Sequence, residues 1–322
     1  SRRSKTCVNV KAATCNFNVN IKLGSGGFGT VYKGVLRKEA VAVKRILKNT
    51  RHGKQDFIAE VTTISNLHHK NLVKLFGWCY ESIELLLVYE FLPSGSLDKS
   101  IFRNPIPNTV ETTLNWETRH NIICGVAKAL DYLHHGCEKS VIHRDVKASN
   151  IMLDSEFNAR LGDFELARTN DQTHHSTKEI TGTPGYTAPE SFHTGKATVE
   201  TNIYAFGVLI LEVICGRKPG HQNEQNNYNI SIVERLWEHH RMGWISDVID
   251  DRLNKNFYED EARCTLIWGS YKGSGCTDVP REKPALCGQP RLLHSLEKIS
   301  TTPSADNNLQ QQWNSVADDN YH

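Results

Sequence analysis

The chain has 322 residues, 39% of them hydrophobic and 23% charged, an ordinary globular composition with enough length to bury a substantial core. A formal charge of +2 excludes a general nucleic-acid footprint, while leaving room for a local basic patch. Nine scattered cysteines contain no Cys-x-x-Cys pair, so buried thiols, Cys124 and Cys215 among them, are expected rather than a disulfide framework.

The chain opens on Ser1-Arg2-Arg3-Ser4-Lys5, with neither an initiator Met nor a signal peptide, and reads as a fragment. Its basic start suits a position just inside a membrane span, or equally an ordinary solvated terminus. From Ile21 to Tyr89 the pattern is strand-like. Ile21-Lys22-Leu23, Gly29 to Gly34 and Glu39 to Lys44 are short, β-rich and separated by turn residues. Phe57, Val61, Ile64 and Leu67 recur at helical spacing, which predicts one amphipathic helix over Lys54 to Leu67. Leu85 to Tyr89 reads as a buried strand.

Beyond Pro93-Ser94-Gly95-Ser96 the character becomes helical, which places a lobe boundary near residues 90–96. Ile122, Ile123, Val126, Ala127, Leu130 and Leu133 predict a helix from Trp116 to His134. Thr201 to Cys215 reads as a largely buried helix; its longest apolar run is too short for a bilayer span. Ile232 to Trp237 begins another helix. Residues 165–187 form a long polar loop, Gly220 to Asn229 a polar insert, and Ser300 to His322 a tail too poor in apolar residues to pack.

The chemistry-bearing residues follow in a telling order. Gly24-Ser25-Gly26-Gly27-Phe28-Gly29-Thr30-Val31 closes a strand-turn-strand, where missing Cβ atoms would let backbone approach phosphate oxygens. A plain hairpin is the alternative. The loop lacks the Gly-Lys-Ser/Thr end of a P-loop, and a strand follows it, so the dinucleotide fingerprint does not fit either. Lys44 ends the strand Val41-Ala42-Val43-Lys44, and Glu60 on the following helix can fix it; singly, each is a solvated surface charge. His143-Arg144-Asp145-Val146-Lys147-Ala148-Ser149-Asn150 gathers an acid, a lysine and an amide within eight residues. Asp145 can orient a hydroxyl and take its proton, Lys147 can neutralise phosphoryl charge, and Asn150 and Asp163 offer hard oxygen ligands. Ala188-Pro189-Glu190 closes the series.

In this order and spacing the series resembles a eukaryotic-type protein kinase domain. More narrowly, the chain resembles the kinase domain of plant receptor-like kinases of the L-type lectin group. Lys11-Ala12-Ala13-Thr14, Phe76-Gly77-Trp78-Cys79, Leu86 to Asp98 and Asn158-Ala159-Arg160-Leu161-Gly162-Asp163-Phe164 carry that narrower likeness, which covers residues 8–255. It implies an α+β, two-lobed fold: a juxtamembrane-like segment over 1–17, a kinase domain over 18–298 with an N-lobe to about 90 and a C-lobe from 91, and a disordered tail over 299–322.

The resemblance implies ATP and Mg²⁺ (or Mn²⁺), with Asp145, Lys147, Lys44 and Glu60 catalytic and Asn150 and Asp163 holding metal. Leu23, Gly24, Gly26, Gly29, Val31, Ala42 and Leu153 would enclose the nucleotide. Tyr89 would be the gatekeeper, and Glu90 to Leu92 the adenine-binding hinge. Arg144 would meet a phosphorylated loop residue, for which Ser176, Thr177 and Thr181 are candidates; Thr183 would touch Asp145 instead. Implied too are a protein substrate with a Ser or Thr hydroxyl, a transmembrane span and lectin-like ectodomain elsewhere in the full-length protein, receptor self-association, and a place at the cytoplasmic face of the plasma membrane.

Three positions depart from the pattern. Glu165 stands where the family has glycine, adding charge beside Asp163 and, if φ is positive there, backbone strain. Asn202 stands for an aspartate that braces the catalytic loop, and its extra N–H donor needs a partner if buried. The acid Glu190 would face Lys283 or Arg281 in place of the family's arginine, within a block over 270–289 that lacks a clean helical period. Glu165 and Asn202 carry the alternative reading, a pseudokinase or scaffold module with impaired catalysis.

Overall fold

The structure, a computed structural model, describes residues 9–26, 29–46, 53–80, 85–102, 114–169, 182–222 and 229–273. Five antiparallel strands form one sheet: β1 (Lys22–Gly26), β2 (Gly29–Leu36), β3 (Glu39–Ile46), β4 (Leu75–Tyr80) and β5 (Leu85–Glu90), in the order β1-β2-β3-β5-β4. The β2–β3 connection is the two-residue turn Arg37-Lys38, and both residues have positive φ (51° and 74°). That combination matches the right-handed twist of a tight hairpin.

The apolar run of β5 is explained by burial on both faces. Leu85, Leu87 and Tyr89 join the main core, while Leu86 and Val88 join a second cluster with Val41, Val43 and Cys79. Side chains alternate across a strand, so a sheet covered twice needs a continuous apolar strand at its centre. Val10 and Phe17, from the segment read as juxtamembrane-like, complete the second cluster. Cys215 is a buried thiol as expected, but Cys124 is only half-buried; neither they nor Cys15 and Cys137 are in a disulfide, whereas Cys79 is disulfide-bonded.

Helix α1 (Gly53–Ile64) packs Phe57 and Ile64 under the sheet. It stops three residues short of Leu67, because Ser65-Asn66 favour a turn and Leu67 N–H already closes on the Ile64 carbonyl. After α2 (Leu97–Ile101) the second region is built on α3 (Trp116–Asp131), capped by Asn115, whose side chain accepts from Thr118 N at 2.8 Å. The predicted continuation to His134 is a wider π turn, Tyr132–Gly136. Short strands β6 (Val141–Ile142), β7 (Ile151–Leu153), β8 (Ala159–Leu161) and β9 (Arg168–Thr169) pair as β6-β9 and β7-β8. They hold the segment over 143–150 between them.

The helices α4 (Pro189–Thr194), α5 (Val199–Cys215), α6 (Ile232–Arg241) and α7 (Glu259–Gly273) complete the second region. A capping box between Thr198 and Thr201 starts α5 two residues before the predicted Thr201. The polar insert is bounded by β10 (Gly220–Gln222) and β11 (Asn229–Ser231), which pair. Gly269 lets α7 lie close on α5, where a Cβ would stand 2.8 Å from Ile210 Cγ2. This packing carries α7 through Gly273, so the first four residues of the block over 270–289 are helical despite their pattern. The rest of that block, with Arg281 and Lys283, lies outside the described residues.

A buried ion pair ties α3 to Asp250, whose backbone N–H in turn bonds the Ile214 carbonyl at the end of α5. Arg119, 1% exposed, reaches Asp250 Oδ2 at 2.6 Å and donates to the carbonyls of Leu114 and Val213. Gly216, at the C-terminus of α5, has φ 63°, and a Cβ there would lie 2.3 Å from Asp250 Oδ2. Gly216→Ala is therefore expected to destabilise the domain by about 1–3 kcal/mol, through a strained backbone and a displaced carboxylate. An unchanged melting temperature would contradict this.

Candidate functional site

Strand register builds the first half of the site. Lys44 lies opposite Val31 on β2 and Leu87 on β5, which directs its side chain beneath the sheet toward α1. Its Nζ sits 3.0 Å from Glu60 Oε2, 2.7 Å from Asp163 Oδ1 and 3.4 Å from Glu165 Oε2. Tyr89 donates its hydroxyl to the other oxygen of Glu60. Burial opposes the charge on Lys44, yet Glu60, Asp163 and Glu165 together hold its pKa well above the usual value. Burial raises the pKa of Glu60 against the pull of Lys44. For Asp163 the balance is reversed: burial pushes upward, but the ammonium holds the carboxyl below its ordinary range.

Glu165 adds its charge beside Asp163, as expected, but without the backbone strain. Positive φ falls on Asp163 (63°), and Glu165 is outside the left-handed region, so its side chain introduces no such strain. Nor does it lie in solvent; it is 1% exposed and turned onto Lys44. Phe164 beside it is buried, edge-on to His143 with ring centroids 4.8 Å apart.

The second half is the segment over 143–150. His143 Nδ1 accepts from Asp145 N and its Nε2 lies 3.0 Å from the Gly162 carbonyl, which sets a neutral ring with its proton on Nε2. Asp145 Oδ1 accepts the Thr183 hydroxyl at 2.7 Å; its Oδ2 meets Lys147 Nζ at 2.8 Å and Asn150 Nδ2 at 2.9 Å. Lys147 Nζ also donates to Thr183 Oγ1 at 2.9 Å. A small cavity beside Asp145 is lined by Thr183, Tyr186, Thr187, Ala188 and Thr201. Under this loop, burial pushes the Glu212 carboxyl up to about 8, although Tyr186 and the Ala148 backbone donate to it.

Asn202 is well partnered. Its Oδ1 accepts from Arg144 N at 3.0 Å, and its Nδ2 lies 3.0 Å from His134 Nε2. Burial lowers the His134 pKa from 6.5 to about 4, so near neutrality the ring is neutral and Nε2 can accept. The unfolded chain protonates this ring at higher pH than the folded one, so its contribution to stability falls as pH drops from about 6.5 to about 4. Asn202→Asp would set a carboxylate against the Nε2 lone pair and is expected to raise the His134 pKa toward or above 6.5. Proton-resonance titration of the ring checks this; a pKa still near 4 would contradict it.

Asp163 and Asn150 are brought together, since Gly162 N donates to the Asn150 carbonyl at 2.9 Å. Their carboxylate and amide oxygens are the hard donors that Mg²⁺ or Mn²⁺ prefers, so the residues fit such an ion. Glu60, Asp163 and Glu165 also place ligand oxygens within 4.8 Å of one another, but the ammonium of Lys44 already supplies the positive charge among them.

The residues proposed to enclose a nucleotide are distributed as their strands dictate. Leu23, Gly24 and Gly26 lie on β1, Gly29 and Val31 on β2, and Ala42 on β3 opposite Tyr89. Glu90 ends β5, with Leu92 buried just beyond, and Leu153 is buried on β7. The Glu90 carboxylate accepts from Lys74 N at 2.8 Å and lies 3.5 Å from Arg160 Nη1. Gly27 and Phe28 lie outside the described residues, as do Ser176, Thr177 and Thr181.

Sequence reasoning missed three links: Tyr89 to Glu60, Glu165 to Lys44, and Asn202 to His134. All join residues far apart in the chain, and only the polar residue types at apolar-flanked positions hinted at them.

The family model described as protein tyrosine and serine/threonine kinase matches residues 17–254. The chain is 54% identical over 283 residues to the probable L-type lectin-domain containing receptor kinase S.5 of Arabidopsis thaliana, an alignment covering 86% of this chain and 42% of that protein. It is 46% identical over 260 residues to the L-type lectin-domain containing receptor kinase SIT2 of Oryza sativa subsp. japonica, covering 80% and 38%. The chain thus spans about two-fifths of the length of the curated relatives it matches. Among the described residues no helix is long and apolar enough to cross a membrane. With the motif order in place and the family match extending over most of its length, the chain belongs to the protein tyrosine and serine/threonine kinase family.

Proposed function

We propose that this domain is an ATP-dependent serine/threonine protein kinase acting in receptor-type signalling. The observation that carries the reading is the convergence of Lys44, Glu60 and Asp163 on one side of the site with Asp145, Lys147 and Asn150 on the other. Lys44, positioned by Glu60, would hold the nucleotide's phosphates. A divalent ion on Asp163 and Asn150 would neutralise phosphate charge. Asp145 would orient a substrate Ser or Thr hydroxyl and take its proton, as that oxygen bonds to the γ-phosphorus and ADP leaves. Lys147 would balance charge on the transferred group.

The relatives' names join a lectin domain to a receptor kinase. By extension we propose a lectin-like ectodomain and a membrane span in the full-length protein, this domain at the cytoplasmic face of the plasma membrane, and self-association of receptors. A second reading, a nucleotide-binding pseudokinase, is favoured by one observation, the Glu165 carboxylate on Lys44. Transfer of labelled γ-phosphoryl to a protein substrate, measured beside Asp145→Ala, tests the first reading. Equal signals from the two proteins across ATP and metal concentrations would overturn it.

A further inference from the structure

Lys44 has three N–H donors, and three carboxylates surround it at hydrogen-bond range: Asp163 at 2.7 Å, Glu60 at 3.0 Å and Glu165 at 3.4 Å. A nucleotide phosphate that needs a donor from this ammonium must take it from one of them. Glu60 is held from both sides, because its other oxygen receives the Tyr89 hydroxyl. Asp163 makes the shortest contact. Glu165 makes the longest, and the neighbouring chain is anchored independently of it. Phe164 is wedged against His143, and Arg168 Nη1 donates to the backbone carbonyls of Glu165 and Ala167 at 3.1 and 2.7 Å. The backbone that carries Asp163 is therefore anchored by contacts other than the Glu165–Lys44 pair.

We propose that Glu165 is an internal stand-in for phosphate, a carboxylate seated on Lys44 that the nucleotide's phosphates must displace, so that it selectively weakens phosphate binding and not adenine binding. This rests on the reading of the site as an ATP site. A carboxylate and a phosphate oxygen offer the same sign of charge and the same acceptor chemistry to one N–H group, so they compete directly. Glu165 thus acts as a specificity-determining residue: it raises the concentration of phosphorylated nucleotide needed to fill the site while leaving the nucleoside unaffected.

The test is titration calorimetry with ATP and with adenosine, in Mg²⁺ and separately in EDTA, on the chain and on Glu165→Gln. The glutamine keeps the volume and removes the charge. A charge-assisted hydrogen bond lost to a competitor corresponds to about tenfold or more in affinity. ATP is therefore expected to bind Glu165→Gln about tenfold or more tightly than the parent, with adenosine affinity unchanged. Should glutamine impair folding, as read by thermal melting, Glu165→Gly makes the same comparison with the side chain removed. Unchanged ATP affinity, or an equal shift for ATP and adenosine, would overturn the inference. If neither parent nor variants bind ATP or adenosine at all, the ATP-site reading itself fails, and the inference with it.

Discussion

Lys44→Met is expected to destabilise the domain by about 3–5 kcal/mol near neutral pH, because it removes the ammonium that three carboxylates face. Glu60 and Glu165 are each 1% exposed, and both face the ammonium together with Asp163. In the parent, the raised pKa of Lys44 contributes stability that is full below its unfolded pKa and lost only as pH rises through the folded value. The depressed pKa of Asp163 contributes stability that is present above its unfolded value and lost as pH falls through the folded one. Without Lys44 the buried carboxyls must bind protons to remain folded, so the folded variant holds more protons than its unfolded chain. Its stability then falls as pH rises, and the gap to the parent narrows on acidification. Denaturant midpoints at pH 5 and pH 7.5 measure that gap. A gap that is absent, or constant with pH, would show that the cluster is not coupled as its distances imply. Pairing Lys44→Met with Glu165→Gln should restore part of the loss.

Asp145→Ala is expected to lower phosphoryl transfer by about 10²–10⁴-fold, the usual range for removing a positioned proton acceptor. Asp145 touches Thr183, Lys147 and Asn150 but not the Lys44 cluster, so nucleotide affinity should change far less than turnover. This split makes Asp145 the cleaner inactivating position in this chain, since Lys44→Met alters stability as well. A parallel loss of ATP affinity and rate would mean that the two halves of the site are not separable, and that the assignment of Asp145 to the transfer step is wrong.

Much of the fold was legible because its signals are local. Alternation and turn residues mark β2 and β3, helical spacing marks α1, α3 and α5, and the change of character near residue 90 separates sheet from helices. The ends of elements were less legible. Ser65-Asn66 cut α1 short, and the chain beyond Asp131 widened into a π turn. For α7 the deciding factor was a neighbour: Gly269 admits close packing on α5, and that contact extends a helix whose own residues show little amphipathic pattern.

The candidate site divides in the same way. Which residues are candidates for the chemistry was legible in the chain itself, because Lys44, Glu60, Asp145, Lys147, Asn150 and Asp163 are recognisable by type and order. What surrounds those residues was decided only by tertiary structure. Charge alone says that Glu165 is an extra acid near Asp163; the fold buries it and aims it at Lys44, whose ammonium offsets part of the cost of taking that carboxylate out of water. Asn202 reads as a lost charge, yet the fold sets it between Arg144 N and a His134 kept neutral by burial, so both ends of the amide are satisfied. Residue identity fixes what a group can donate or accept. Burial and the partners brought from 68 to 121 residues away decide which of those capacities is used.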